Sequence, residues 1–192
     1  YHVGLFYTPL SHYLVWSEYF LRIWKKNCKV KKITNVMTIG HPKVLGKSCL
    51  HAKKTGIKNV LWVDDPAVPL SETLRFITAL EEAKDVNLYI KIKPGSGSDI
   101  PSEFNERKVQ NNIGFFESIR DLDIDVVAGV SSTALMEAWI VGVPSVVTRC
   151  YSDYGRHLWE DDISLACDNV ESLIENIRIA GSYKHEVRDA RA

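Results

Sequence analysis

One short segment holds residue types and spacings suited to binding chemistry: Ser131, Ser132, Thr133 and, one helical turn later, Glu137. They belong to DIDVVAGVSSTALMEAWIVGVPSVV, residues 123–147, which reads as strand, sharp turn, helix and strand. A helix N-terminus offers about four unpaired N–H groups and about half a positive charge, so hydroxyls placed there add donors for a phosphate. Capping a helix uses one hydroxyl, and three in succession exceed that need. Thr133 and Glu137 project from one side of the helix. Glu137 is not the acid of a capping box, because the residue three before it is Ala134. Ala134, Leu135, Met136, Ala138, Trp139, Ile140 and Val141 make the helix apolar nearly all round, which predicts burial, and burying a lone carboxylate is costly. Glu137 therefore requires a partner: an arginine such as Arg149 or Arg156, or the hydroxyls of a sugar on a bound nucleotide.

Other candidates are weaker. RCYSDYGRHLWEDD, residues 149–162, follows a strand end and collects Arg149, Arg156 and His157, a set that suits a phosphate or sugar but also a solvated loop; Arg149 is taken as lining the cleft. Asp64 and Asp65 also follow a strand, where a carboxylate pair can hold a metal or move protons. Pro66 comes next and no histidine is near, so a capped turn is favoured. His41, His51 and His185 have no ligand spacing. The tryptophans fall mostly on apolar faces and read as core.

The elements that hold these residues alternate. HYLVWS, EYFLRIWKKNC and NVMTIG read as strand, helix and strand, a βαβ unit with a parallel pair and a right-handed crossover. Residues 41–58 lack a sustained period and contain several lysines and two glycines, which suits a linker. The pattern restarts with the strand NVLWVDD and the helix PLSETLRFITALEEAKD, with Ser71 as N-cap. In the strand NLYIKIKP, Leu88, Ile90 and Ile92 face one way and Tyr89, Lys91 and Lys93 the other. SEFNERKVQ reads as a short helix, IGFFES as a strand and SIRDL as a helical turn. DVVAGV has the continuous apolar character of a central parallel strand, Gly142 ends the helix after it, and ISLACDNVESLIENIRIA closes with a strand fragment and an amphipathic helix. The expected fold is α/β, a Rossmann-like parallel sheet with helices on both faces. Ligands of such sheets bind beyond the carboxyl ends of the strands, where Val130 to Thr133 fall.

Bulk composition sets limits. The 192 residues are 45% hydrophobic and 25% charged, as in an ordinary globular protein. Basic and acidic residues number 24 each, which removes the broad positive field that nucleic acid requires and makes any anion site local. Cys28, Cys49, Cys150 and Cys167 have no C-x-x-C spacing and read as free thiols of a reducing cytoplasm. No apolar run approaches the roughly 20 residues of a membrane-spanning helix, and no signal peptide opens the chain. A start at Tyr1 suggests a fragment.

The segment SSTALMEAWIVGVPSVV resembles the nucleotide-sugar-binding motif of GT-B glycosyltransferases, in particular enzymes of capsular and surface-polysaccharide synthesis. YLVWSEYF resembles the end of that family's N-terminal domain, TIGHPKVLG its interdomain segment, NVLWVDD the first strand of its C-terminal domain and ACDNVESLIENI its closing helix. The likeness implies the end of an N-terminal, acceptor-side domain over residues 1–45, a linker over 46–58, a nucleotide-sugar-binding domain over 59–180 and a polar tail over 181–192. It further implies that Ser131, Ser132 and Thr133 hold the donor's diphosphate and that Glu137 accepts from the ribose hydroxyls. Lys93 is implied as a second phosphate contact, since KIKPGSG stands in the place of the family's KPHP; Gly95 and Ser96 replace the usual His and Pro. YHVG resembles a late N-terminal-domain motif, which makes His2 a candidate for the cleft and the only catalytic one.

The implied activity is transfer of a sugar from a UDP-, CMP- or GDP-linked donor to a glycan or lipid-linked acceptor, without a metal or other cofactor. The implied location is the cytoplasm, with a peripheral place at the inner face of the membrane open to the whole protein, and the fragment alone is expected to be inactive. Two rivals remain: a UDP-sugar 2-epimerase or polyol-phosphate transferase of the same fold, and a non-catalytic α/β interaction domain in which the hydroxyls cap the helix and an arginine pairs with Glu137.

Overall fold

A computed structural model describes residues 12–15, 18–27, 35–38, 56–93, 99–110, 112–149, 159 and 164–180. The chain divides into two compact units, Tyr1–Ser48 with Glu186–Ala192, and Cys49–His185. Among the described residues no helix is long and apolar enough to cross a membrane.

In the first unit, β1 (His12–Val15) and β2 (Asn35–Thr38) pair in parallel from His12↔Asn35 to Val15↔Thr38. Helix α1 (Glu18–Asn27) crosses between them, as the βαβ pattern predicts. Val15 and Trp24 are buried, whereas Arg22, Lys25 and Lys26 face solvent.

The second unit contains β3 (Lys58–Val63), α2 (Leu70–Glu82), β4 (Val86–Lys91), a 3-10 helix (Ser102–Arg107), α3 (Phe115–Asp121), β5 (Val126–Gly129), α4 (Thr133–Val141), β6 (Ser145–Thr148), β7 (Leu165–Cys167) and α5 (Val170–Ala180). Its five strands lie in the order β4-β3-β5-β6-β7, every neighbouring pair parallel. The central strands have buried side chains throughout β5 and β6, which is why they read as unbroken apolar runs. On one face Val60, Trp62, Leu88, Ile90, Val126, Ala128 and Val146 meet Phe76, Ile77 and Leu80 of α2 and Leu173 and Ile177 of α5. Trp62 stacks on Phe76 with ring centroids 5.9 Å apart. On the other face α4 packs against β5 and β6. The α/β fold with helices on both faces is thus as expected.

Two local expectations differ from the structure. The N-cap of α2 is Pro69 and not Ser71: Glu72 N–H and Thr73 N–H already bond to the Pro69 carbonyl at 3.0 and 3.2 Å, so Ser71 lies inside the first turn and is exposed. IGFFES is not a strand. Ser118 N–H and Oγ both bond to the Gly114 carbonyl, at 2.9 and 2.7 Å, and wind the segment into α3. The place beside β4 is taken instead by Lys108 and Val109, which bridge and bond to Ile90. In a stretch this short a period of two and a period of 3.6 match the same apolar residues. Lys91 at the end of β4 is buried, and its ammonium donates to the carbonyls of Gln110, at 3.2 Å, and Ile113.

Candidate functional site

Counted from β3 the strand order is 2-1-3-4-5, so the chain leaves β3 in one direction for β4 and returns on the other side to β5. The crevice above the carboxyl ends of β3 and β5 is therefore the topological switch point, the place where open parallel sheets bind ligands. Val63 and Gly129 are partners in register across this seam. A Cβ on Gly129 would stand 3.0 Å from the Val63 carbonyl oxygen, so glycine is what lets the two strand ends approach so closely.

Two residues beyond that pair on each strand stand Asp65 and Ser131, and the Ser131 hydroxyl donates to Asp65 Oδ2. Asp65 Oδ1 accepts the Ala67 N–H at 3.0 Å, and the Asp65 carbonyl accepts Val68 N–H at 3.0 Å, the capped turn that the Asp-Pro sequence predicts. Both Asp65 and Ser131 are half-buried, and Asp64 beside them is buried.

Helix α4 starts at this point. Ser132 is its N-cap, with backbone in the extended region, and its hydroxyl accepts from Ala134 N–H at 3.3 Å while its carbonyl accepts Leu135 N–H at 3.1 Å. Thr133, the first helical residue, is exposed. One turn on, Glu137 is buried with Ala134, Leu135, Met136, Ala138 and Val141, as the apolar character of the helix predicts, and it is engaged rather than free. Gly142 closes the helix at φ 86°, a left-handed conformation that glycine adopts without strain.

The structure thus gathers Ser131, Ser132, Thr133 and Glu137 at one helix start, and gives the three hydroxyls different tasks: one ties two loops, one caps, one faces solvent. Lys93 lies just past the end of β4, on the other side of β3 from Ser131, and is exposed and engaged. Arg149 lies just past β6, one strand beyond β5. Its guanidinium donates to both carboxylate oxygens of Asp168, at 2.8 and 2.5 Å, and sits 6.0 Å from the Trp159 ring centroid. The Asp168 hydrogen bond raises the Arg149 pKa. His2, Arg156 and His157 lie outside the described residues.

Two residues gained importance only in three dimensions. Asp65 joins Ser131 across 66 positions of sequence, and the usable signal was that each follows an apolar strand end. Lys91 anchors the Gln110–Ile113 loop at the end of β4; burial lowers its pKa, and the nearby Glu117 charge opposes that shift.

No protein-family model matches the sequence, and no curated protein matches it. Among solved structures, the glycotransferase of kitacinnamycin superposes with a TM-score of 0.51 at 14% identity, covering 78% of this chain and 42% of that one. The chain shares its fold with part of a glycosyltransferase. Two structures of the spinosyn rhamnosyltransferase SpnG also match, one at TM-score 0.48 and 14% identity over 86% of this chain and 52% of that one. The other, complexed with spinosyn aglycone, matches at 0.45 and 16% over 80% and 44%. The chain therefore spans less than half the length of the first of these proteins.

Proposed function

We propose that the chain is the donor-binding part of a GT-B type glycosyltransferase, which binds a nucleotide-sugar and transfers the sugar to a surface-polysaccharide or glycolipid acceptor. The observation that carries this reading is the placement of the α4 N-terminus, with Ser132 and Thr133, at the switch point of the sheet. A diphosphate fits there because the first N–H groups of the helix and its dipole favour negative charge. Glu137, one turn further on, is the acceptor for ribose hydroxyls, and Lys93 and Arg149 flank the crevice as cations for the diphosphate. For Arg149 this requires exchange of Asp168 for a phosphate, and the side chain's exposure leaves room for it. The likeness in fold to a glycotransferase supports the same reading. The acceptor class rests on the resemblance of the Ser131–Val147 segment to enzymes of surface-polysaccharide synthesis.

One observation favours a second reading, a binding domain without catalysis: Ser131 and Ser132 both already have partners inside the protein. Thermal-shift and calorimetric titration with UDP, CDP, GDP, CMP and their sugars separates the two. Stabilisation by one nucleotide series, lost in Glu137→Ala while the variant stays folded, is the expected result. No stabilisation by any of them leaves the interaction-domain reading.

A further inference from the structure

The hydrogen bonds at the β3–β5 seam define which chemistry each side of the crevice can accept. A hydroxyl has a single proton and two lone pairs, and an ionised carboxylate only accepts. The one proton of Ser131 is directed to Asp65, so the oxygen of Ser131 has only lone pairs left for a ligand. Asp65 likewise has only acceptor capacity remaining once Ala67 N–H is bound, and Asp64, buried next to it, is a second acidic residue at the same strand end. Among the described residues, Lys91 donates to the carbonyls of Gln110 and Ile113 and Arg149 to Asp168, while exposed Lys93 lies across β3 from the seam. Two residues along the chain from Ser131, the start of α4 has the opposite character, with the exposed Thr133 hydroxyl and the helix dipole inviting an anion.

We propose that the seam is the acceptor half of a two-part site: the anion rests on the α4 start, and Asp65 with Ser131 receives hydroxyl or amino groups of the attached sugar. The ligand class that fits is a neutral or amino sugar on a diphosphate, and an acidic sugar is rejected because its carboxylate would meet Asp65 with no proton to share. This rests on the donor-binding reading above and narrows it, since Ser131 is then a sugar contact and not a phosphate contact.

The test is calorimetry on the whole chain with UDP, GDP, CDP and dTDP, each as the free diphosphate, its glucose and its glucuronate. On the preferred base, glucuronate should bind roughly tenfold more weakly than glucose. Asp65→Asn should shrink that gap to about threefold or less while free diphosphate stays within about twofold of the wild type. Ser131→Ala, which removes one acceptor for the sugar and leaves the Asp65 charge in place, should weaken the glucose conjugate about threefold while free diphosphate stays within about twofold of the wild type. The proposal fails if wild type binds glucose and glucuronate equally, or if Asp65→Asn leaves the gap intact. It fails also if Ser131→Ala weakens free diphosphate about tenfold, because Ser131 would then be donating to phosphate. If no nucleotide of any kind binds the wild type, the donor-binding reading and this one fall together.

Discussion

The two ends of the same pair of strands, β3 and β5, are both polar, and they are built in opposite ways. At the amino end Asn59 N–H donates to Asp125 Oδ2 at 2.9 Å, Asp125 N–H returns a bond to the Asn59 carbonyl at 2.8 Å, and the Asn59 amide donates to the carbonyls of Leu122 and Asp123. Asn87 adds a further bond to Asn59 Oδ1 at 3.2 Å. Asp125 is buried to 1% exposure, so that network closes on the protein itself. At the carboxyl end Asp65 and Ser131 are half-buried and join one loop to another by a side-chain bond, while Thr133 faces outward. Polar residues at a strand end are therefore ambiguous in sequence: at the amino end backbone groups satisfy them as a latch, and at the carboxyl end some of them stand at a surface.

Removing the latch should have the greatest consequence. Asp125→Ala removes a buried carboxylate and leaves the part-buried Asn59 N–H without its acceptor, and should cost about 2–4 kcal/mol in denaturant unfolding, with the nucleotide affinity of the folded protein unchanged. A change in affinity as well would mean that the two ends are coupled. At the other end, Glu137→Gln should weaken the preferred nucleotide by roughly tenfold and cost less stability than the Asp125 change. The reverse ranking would make Glu137 a scaffold residue.

Finer tests separate tasks within the site. Ser132→Ala removes the cap of α4 and should cost about 1 kcal/mol, whereas Thr133→Ala should leave stability nearly unchanged and weaken nucleoside diphosphate more than nucleoside. Equal weakening of both ligands would deny Thr133 a phosphate role. The smallest effect is expected back at the amino end, where Arg178 donates to Asp85 at 2.7 and 3.2 Å and, by that hydrogen bond foremost, holds the Asp85 carboxyl below its usual 3.8. A depressed carboxyl stabilises the fold fully above the unfolded value and loses that contribution as pH falls through the lower folded one. Arg178→Ala should thus lower Tm by about 1 °C at neutral pH, and the difference from wild type should vanish at the acid end of a pH series.

Much of the fold was legible because its determinants are local and strong. DVVAGV and NVLWV have the continuous apolar character of strands covered on both faces, and Gly142 fits the left-handed end of α4. What misled were short segments in which competing periods agree. IGFFES enters a helix at Phe115 while Lys108 and Val109 occupy the edge beside β4, a fact of the sheet and not of those six residues. Of the candidate site, the grouping of Ser131, Ser132, Thr133 and Glu137 was legible since one turn and one helix carry them all.

Most of the strands and helices, the burial of α4 and the hydroxyls crowding its start were set by the sequence locally, because side-chain period, apolar content and capping chemistry act over a few residues. Only the tertiary structure decided what each hydroxyl does. Strand order set β3 beside β5, the absence of a Cβ on Gly129 let their ends close to contact, and Asp65 thereby accepts a hydrogen bond from the hydroxyl of a serine 66 residues away. Such a bond depends on the register of two strands distant in the chain, and no local pattern contains that register.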